Sequence, residues 1–108
     1  MKFRVKTLQR ARRAYNQILA YIAERSPSGA IAWGSAFDAV LKHLAESADT
    51  FPLAWESEDA EVDVREALFK TRRGLTYRVL FTICGQEVLV LHVRGPGQAP
   101  VTPEDLRP

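Results

Sequence analysis

The strongest constraint on the fold is a change of hydrophobic period along the chain, from helical spacing to strand-like alternation. A first stripe of apolar residues at three- and four-residue spacing comprises Leu8, Ala11, Tyr15, Ile18, Leu19 and Ile22. A second stripe with the same spacing comprises Ala30, Trp33, Phe37, Val40, Leu41 and Leu44. Both stripes need a partner surface, because burying one large apolar side chain is worth about 1.5 to 3 kcal/mol.

The two stripes are separated by a turn signal, Ser26-Pro27-Ser28-Gly29. Proline suits the first turn of a new helix, and serine can cap it. We therefore expect an antiparallel helical hairpin over residues 7–48, with Thr7 as the first N-cap and the first helix ending near Arg25.

Strand-like patterns flank this hairpin. Residues 1–6 alternate polar and apolar side chains, which predicts a short strand, and further strands are predicted at residues 64–71, 75–83 and 87–94. The short turns at Arg73-Gly74 and at residues 84–86 force antiparallel pairing, so residues 64–95 are predicted to form a meander. Residues 49–63 are predicted to form an acidic loop, and residues 96–108 an irregular tail. Within this tail, residues 102–106 could form at most one capped helical turn.

Strand parity predicts which side chains face the core. The predicted core face carries Leu75, Tyr77, Val79, Phe81, Ile83, Leu89, Leu91 and Val93. The opposite face then carries Thr76, Arg78, Leu80, Thr82, Val88, Val90, His92 and Arg94. Of these, Arg78, His92 and Arg94 are candidates for one exposed patch. The expected fold is a single α+β domain over residues 1–108, with a short N-terminal strand and a two-helix hairpin packed on a three- to four-stranded antiparallel sheet.

Composition excludes several classes of function. The single cysteine, Cys84, cannot form an internal disulfide or a thiolate metal cluster, and His43 and His92 have no partner at a chelating spacing. Gly95-Pro96-Gly97 lacks the context of a nucleotide-binding loop, so no cofactor is expected. The N-terminus has no apolar signal core and no apolar run is long enough to cross a bilayer, so we expect a cytoplasmic protein that does not contact the membrane.

The charges are sorted along the chain although the formal net charge is only +2. The first segment is basic, the middle is acidic, and the strands again carry arginines. Arg65, Arg78 and Arg94, together with His92, suggest a phosphate-binding sheet surface, because guanidinium groups pair with phosphate oxygens. The alternative interpretation, a solvated strand face without function, is the more common one for exposed arginines.

Several segments, in this order and with this spacing, resemble the RelE/ParE superfamily of toxins over nearly the whole chain. They are residues 18–24, Ser26-Pro27, Ala30, residues 33–37, 51–56, 64–69, 77–83 and 88–94. The resemblance implies the toxin of a bacterial type II toxin-antitoxin system, of the kind also called plasmid stabilisation proteins. A cognate antitoxin would neutralise it, and operator DNA would be bound only indirectly, through that antitoxin.

Two growth-inhibiting activities occur in this superfamily, cleavage of ribosome-bound mRNA and poisoning of DNA gyrase. Fold alone does not choose between them. For a metal-independent mRNA interferase, the catalytic candidates are Arg65, Arg78, Arg94 and His92, which would stabilise the attacked phosphate and exchange protons. Residues 95–100 contain none of the tyrosine, histidine or basic side chains that nuclease members often place after the last strand. The alternative is a degenerate, non-toxic member that only binds an antitoxin or a regulatory partner.

Overall fold

The computed structural model describes residues 2–71 and 74–108. Its strands are β1 (Arg4–Thr7), β2 (Arg65–Lys70), β3 (Thr76–Cys84) and β4 (Glu87–Arg94), and its helices are α1 (Gln9–Arg25) and α2 (Pro27–Ser47). Short 3-10 turns occur at Ala48–Thr50, Trp55–Asp59 and Pro103–Leu106. No helix among the described residues is both long enough and apolar enough to cross a membrane.

The α+β class is confirmed, but the prediction of a wholly antiparallel sheet is wrong. The strand order is β1-β4-β3-β2, and β1 pairs with β4 in parallel, so the four-stranded sheet is mixed. The other neighbours are antiparallel. Only strands joined by short turns are forced to be antiparallel. The helical hairpin separates β1 from the meander, so no short turn fixes the direction of β1.

The turn between the helices follows the sequence signal. Ser26 accepts a hydrogen bond from the backbone N–H of Gly29 at 3.0 Å, and Pro27 opens α2. The predicted N-cap at Thr7 is wrong, because Thr7 is the last residue of β1 and α1 begins at Gln9 without a side-chain cap. Arg73 of the predicted β2–β3 turn lies outside the described residues, while Gly74 has a φ of 80°.

The helices cover one face of the sheet. The buried core between them contains Phe3, Ala11, Ala14, Ile18, Trp33, Phe37, Leu44, Ala48, Ala67, Tyr77, Val79, Phe81, Val88, Val90 and Val93. Trp33 lies at the centre of an aromatic group, with ring centroids 5.1 to 5.9 Å from those of Tyr15, Phe37, Phe69 and Tyr77. Leu75, predicted for this core, is exposed instead.

The opposite face of the sheet is also covered, which the strand pattern did not predict. A second buried cluster contains Ala54, Val64, Leu80, Leu91, Val101 and Leu106, so the acidic loop and the C-terminal tail form a thin third layer. The Pro103–Leu106 turn is closed by Asp105, whose carboxylate accepts hydrogen bonds from the backbone N–H and the hydroxyl of Thr102.

A β-bulge in β4 explains why the predicted faces of that strand are partly wrong. Leu80 pairs with His92 and Phe81 pairs with Val90, which leaves Leu91 without a partner in β3. The extra residue reverses the strand parity. Consequently Val88 and Val90, predicted to face away from the core, pack under the helices with Val93, whereas Leu89 and Leu91 pack on the second face.

Candidate functional site

Arg78 and Arg94 are directly opposite each other on β3 and β4. Opposed residues of an antiparallel pair share a face of the sheet, and this is the face covered by the acidic loop and the tail. Two like charges at such positions destabilise a sheet unless an anion lies beside them. The surroundings of this arginine pair therefore determine what the surface can bind.

Arg78 is enclosed by two carboxylates. Its Nη1 and Nη2 donate to the two carboxylate oxygens of Glu56 at 2.7 Å each, and its Nε donates to Glu66 at 2.9 Å. Glu56 is only 4% exposed. This bidentate geometry is the strong form of a charge-assisted hydrogen bond. The hydrogen bonds to Glu56, together with those to Glu66, hold the pKa of the Arg78 guanidinium above its ordinary value, although burial lowers it.

Local backbone contacts place Glu56 over the sheet. It lies in the 3-10 turn Trp55–Asp59, which follows the hydrogen bond from the Ala54 N–H to the Val64 carbonyl at 2.8 Å. The Ser57 hydroxyl accepts a further hydrogen bond from the Val64 N–H at 2.9 Å. Burial alone would raise the pKa of the Glu56 carboxyl, but its hydrogen bonds with Arg78 keep the pKa below the ordinary value of 4.5.

No carboxylate among the described residues pairs with Arg94 in the way that Glu56 pairs with Arg78. Among the described residues its guanidinium forms no ion pair, and its Nε is buried without a hydrogen-bond partner. The charge of Arg94 contributes slightly to the lowered pKa of Asp105, which is caused mainly by the Thr102 hydrogen bonds. Arg94 therefore lies opposite Arg78, whose positive charge is neutralised by Glu56 and Glu66.

His92 lies on the same face but is not part of an exposed patch. It is 6% exposed, opposite Leu80, and its Nδ1 accepts a hydrogen bond from the Val93 N–H at 3.0 Å. Burial lowers the pKa of the imidazole below its ordinary value, because it disfavours the charged form. The prediction of an exposed Arg78–His92–Arg94 patch is therefore wrong for His92, which is buried, although the three residues share a face.

Arg65 is separated from the other candidates. Its neighbours at alternate positions of β2, Ala67 and Phe69, belong to the core under the helices, so Arg65 faces that side. Its Nη1 donates a hydrogen bond to the backbone carbonyl of Phe51. The structure thus brings Arg78, Arg94 and His92 together and leaves Arg65 on the opposite side of the sheet.

Sequence reasoning missed Glu56 and Glu66 as parts of the site. Glu66 could be found only once the register of β2 and β3 is known, because it then shares a face with Leu68, the residue opposite Arg78. Glu56 has none, because it is one of several acids in a loop and only the fold selects it.

An open apolar groove lies away from these residues, between β1 and α2. It is lined by Val5, Leu41, Lys42, Ala45 and Glu46. Within residues 2–71 and 74–108, no group of three or more histidines, cysteines or acids is arranged to hold a metal ion. None of the four predicted catalytic residues lines this groove.

No protein-family model matches the chain, and no curated protein is significantly similar to it.

Proposed function

We propose that the chain is the toxin component of a bacterial type II toxin-antitoxin module that inhibits growth by binding a protein target, with DNA gyrase as the candidate. A cognate antitoxin neutralises it. The segments that resemble RelE/ParE toxins support the family. The observation that supports a protein target over ribosome-bound mRNA is that the candidate catalytic residues are not assembled at one site, since Arg65 lies on the other side of the sheet and His92 is buried.

Ribonuclease chemistry requires a general base, a general acid and cationic stabilisation of the phosphate within reach of one substrate. Here Arg65 lies on the other side of the sheet, and His92 is buried with a lowered pKa. All three nitrogens of Arg78 already donate to the carboxylates of Glu56 and Glu66, so a substrate phosphate would have to compete with them. This arrangement favours a toxin that acts through its surface rather than through RNA cleavage.

Exposed apolar side chains supply surface for the protein partners that the proposal requires. Tyr21 and Ile31 lie on the helical hairpin, and Leu53, Trp55 and Leu68 lie at or near the β2 edge of the sheet, all of them more than half exposed. Exposed aromatic and large aliphatic residues are typical anchors of protein interfaces. The antitoxin and the target are proposed to use these regions.

Induction of the chain from a tightly repressed promoter tests the proposal. We expect growth to stop with loss of supercoiling and a DNA-damage response before translation falls. Co-expression with the cognate antitoxin should restore growth. Translation arrest with ribosome-dependent mRNA cleavage would contradict the protein-target mechanism. Normal growth would contradict toxicity and favour the alternative of a member that only binds an antitoxin.

Copurification provides a second test. The product of a neighbouring small gene, co-expressed with a tagged chain, should be recovered in a fixed stoichiometry. Failure to recover such a partner would contradict the toxin-antitoxin assignment as a whole.

A further inference from the structure

The contact between Glu56 and Arg78 has the geometry of a ligand in a binding site. The Nη1–Nη2 edge of a guanidinium binds carboxylate and phosphate oxygens in the same two-pronged way. Glu56 occupies this edge of Arg78 with both oxygens at 2.7 Å, while Glu66 uses only the Nε at 2.9 Å. Without Glu56, the Nη1–Nη2 edge is open and Glu66 still orients the side chain.

The neighbouring cation completes the site. Arg94 is opposite Arg78, has no ion pair among the described residues, and buries an Nε that has no acceptor. A buried donor without an acceptor destabilises the fold. A tetrahedral anion with several oxygens satisfies two adjacent guanidinium groups, whereas the Glu56 carboxylate is used entirely by one of them.

We propose that the Trp55–Asp59 turn is a self-inhibitory lid, in which Glu56 occupies a phosphate-binding site formed by Arg78 and Arg94. A phosphate group, free or carried by a small organic molecule, competes with the Glu56 carboxylate for Arg78 and displaces the turn. The proposal goes beyond the toxin assignment and does not depend on it, because binding is measured on the purified chain.

The main attachment of the turn is the Glu56–Arg78 contact, which the phosphate itself replaces. Apart from Glu56, its described polar contacts are the backbone hydrogen bonds from Ser57 N–H to Ala54 and from Ala60 N–H to Ser57, and the Ser57 hydroxyl contact with Val64. Trp55 is 66% exposed and so contributes little packing. A short turn with exposed side chains belongs to the parts of a fold that open at low free-energy cost.

Phosphate titration of the 15N-labelled chain at constant ionic strength tests the proposal, with the arginine side-chain NMR signals as the readout. Glu56→Gln removes the competing charge and keeps the side-chain volume, and Glu58→Gln is the matched control on the same turn, since Glu58 is exposed. We expect Glu56→Gln to bind inorganic phosphate roughly tenfold more tightly than wild type, a change of about 1.4 kcal/mol. Glu58→Gln should bind like wild type.

The same titration tests whether Arg94 belongs to the site and whether the site binds free or organic phosphate. Adding Arg94→Gln to Glu56→Gln should return the affinity to the wild-type level. Adenosine 5′-monophosphate used in place of inorganic phosphate shows whether the site accepts an organic phosphate. A folded Glu56→Gln variant without increased phosphate affinity, or an increase that Glu58→Gln reproduces or that survives Arg94→Gln, would overturn the proposal.

Hydrogen exchange of the wild-type chain provides a measurement that needs no variant. Phosphate should accelerate amide exchange at Ser57 and Ala60 relative to chloride at the same ionic strength, and should leave exchange at Gly29, whose amide is bonded to Ser26, unchanged. Equal exchange at Ser57 and Ala60 in the two salts would show that phosphate does not displace the turn.

Discussion

Arg78 of β3 and Glu56 of the acidic loop form a bidentate ion pair across 22 positions of sequence, with both hydrogen bonds at 2.7 Å. The pair joins the loop to the sheet at the edge of the second hydrophobic cluster. This contact both helps to hold the acidic loop over that face and occupies the arginine that a phosphate would need.

Removal of the Glu56 carboxylate should destabilise the fold. We expect Glu56→Ala to lower the free energy of unfolding by about 3 kcal/mol, near the low end for a broken buried pair, because Glu66 still neutralises part of the Arg78 charge. Urea denaturation measures the change. Glu58→Ala, which removes an exposed acid from the same turn, should shift the unfolding free energy by less than about 0.5 kcal/mol. Equal effects of the two substitutions would contradict a structural role for the ion pair.

Stability should decrease in mildly acid solution because of His92. Its pKa in the folded chain is below the ordinary value of 6.5, so below that pH the unfolded chain binds a proton that the folded chain does not. The stability that the buried, neutral His92 contributes is therefore complete above pH 6.5. It is lost as the pH falls from 6.5 toward the lowered pKa of His92 in the folded chain. Urea denaturation at about pH 7.5 and about pH 5.5 checks this on either side of the histidine range. His92→Gln should lose less stability between the two pH values than wild type.

His43 provides the control for this experiment, since it is an exposed histidine on α2. His43→Gln should keep the full wild-type dependence on pH. A His92→Gln variant with an unchanged dependence would show that another group causes it.

Gly95 should not tolerate a side chain. A Cβ atom at this position would lie 2.6 Å from Cε2 and 2.9 Å from Cδ2 of the Tyr77 ring, which is buried in the core under the helices. We expect Gly95→Ala to cost about 1 to 3 kcal/mol of stability, as overpacking does. Gly34→Ala in α2 is the contrasting change, because its Cβ would meet only the Tyr15 hydroxyl at 3.3 Å and alanine favours a helix. Thermal melts should therefore show a larger loss of stability for Gly95→Ala than for Gly34→Ala.

Alanine substitutions at two leucines test whether the acidic loop and the C-terminal tail cover the second face of the sheet. Leu80 is fully buried there, whereas Leu68, on the edge strand β2, is 57% exposed. Leu80→Ala should cost about 2 to 5 kcal/mol through lost burial and the cavity it leaves. Leu68→Ala should stay within about 0.5 kcal/mol of wild type. Similar small effects in urea denaturation would mean that the acidic loop and tail do not cover this face in solution.

The elements of the fold follow from local sequence signals. Helical spacing identifies α1 and α2, the Ser26-Pro27 signal identifies the turn between them, and β4 has the predicted bounds of residues 87–94. These features depend on side-chain periodicity and on the conformational preferences of single residues, which act over a few positions.

The candidate site was less predictable, because its members depend on register and on distant segments. Parity placed Arg78, His92 and Arg94 on one face, and the structure agrees for these three. The same reasoning failed for Leu89 and Leu91, because one unpaired residue in β4 reverses parity and leaves no mark in the pattern.

By itself the sequence determined the α+β class, the helical hairpin and the antiparallel meander, since each depends on interactions between near neighbours. Only the tertiary structure decided that β1 joins β4 in parallel, that the acidic loop covers the second face, and that Glu56 binds Arg78. These outcomes arise from contacts between residues far apart in the chain. Glu56 is buried, unlike the neighbouring acids Glu58 and Asp59, and it is paired because a charge removed from water needs a partner.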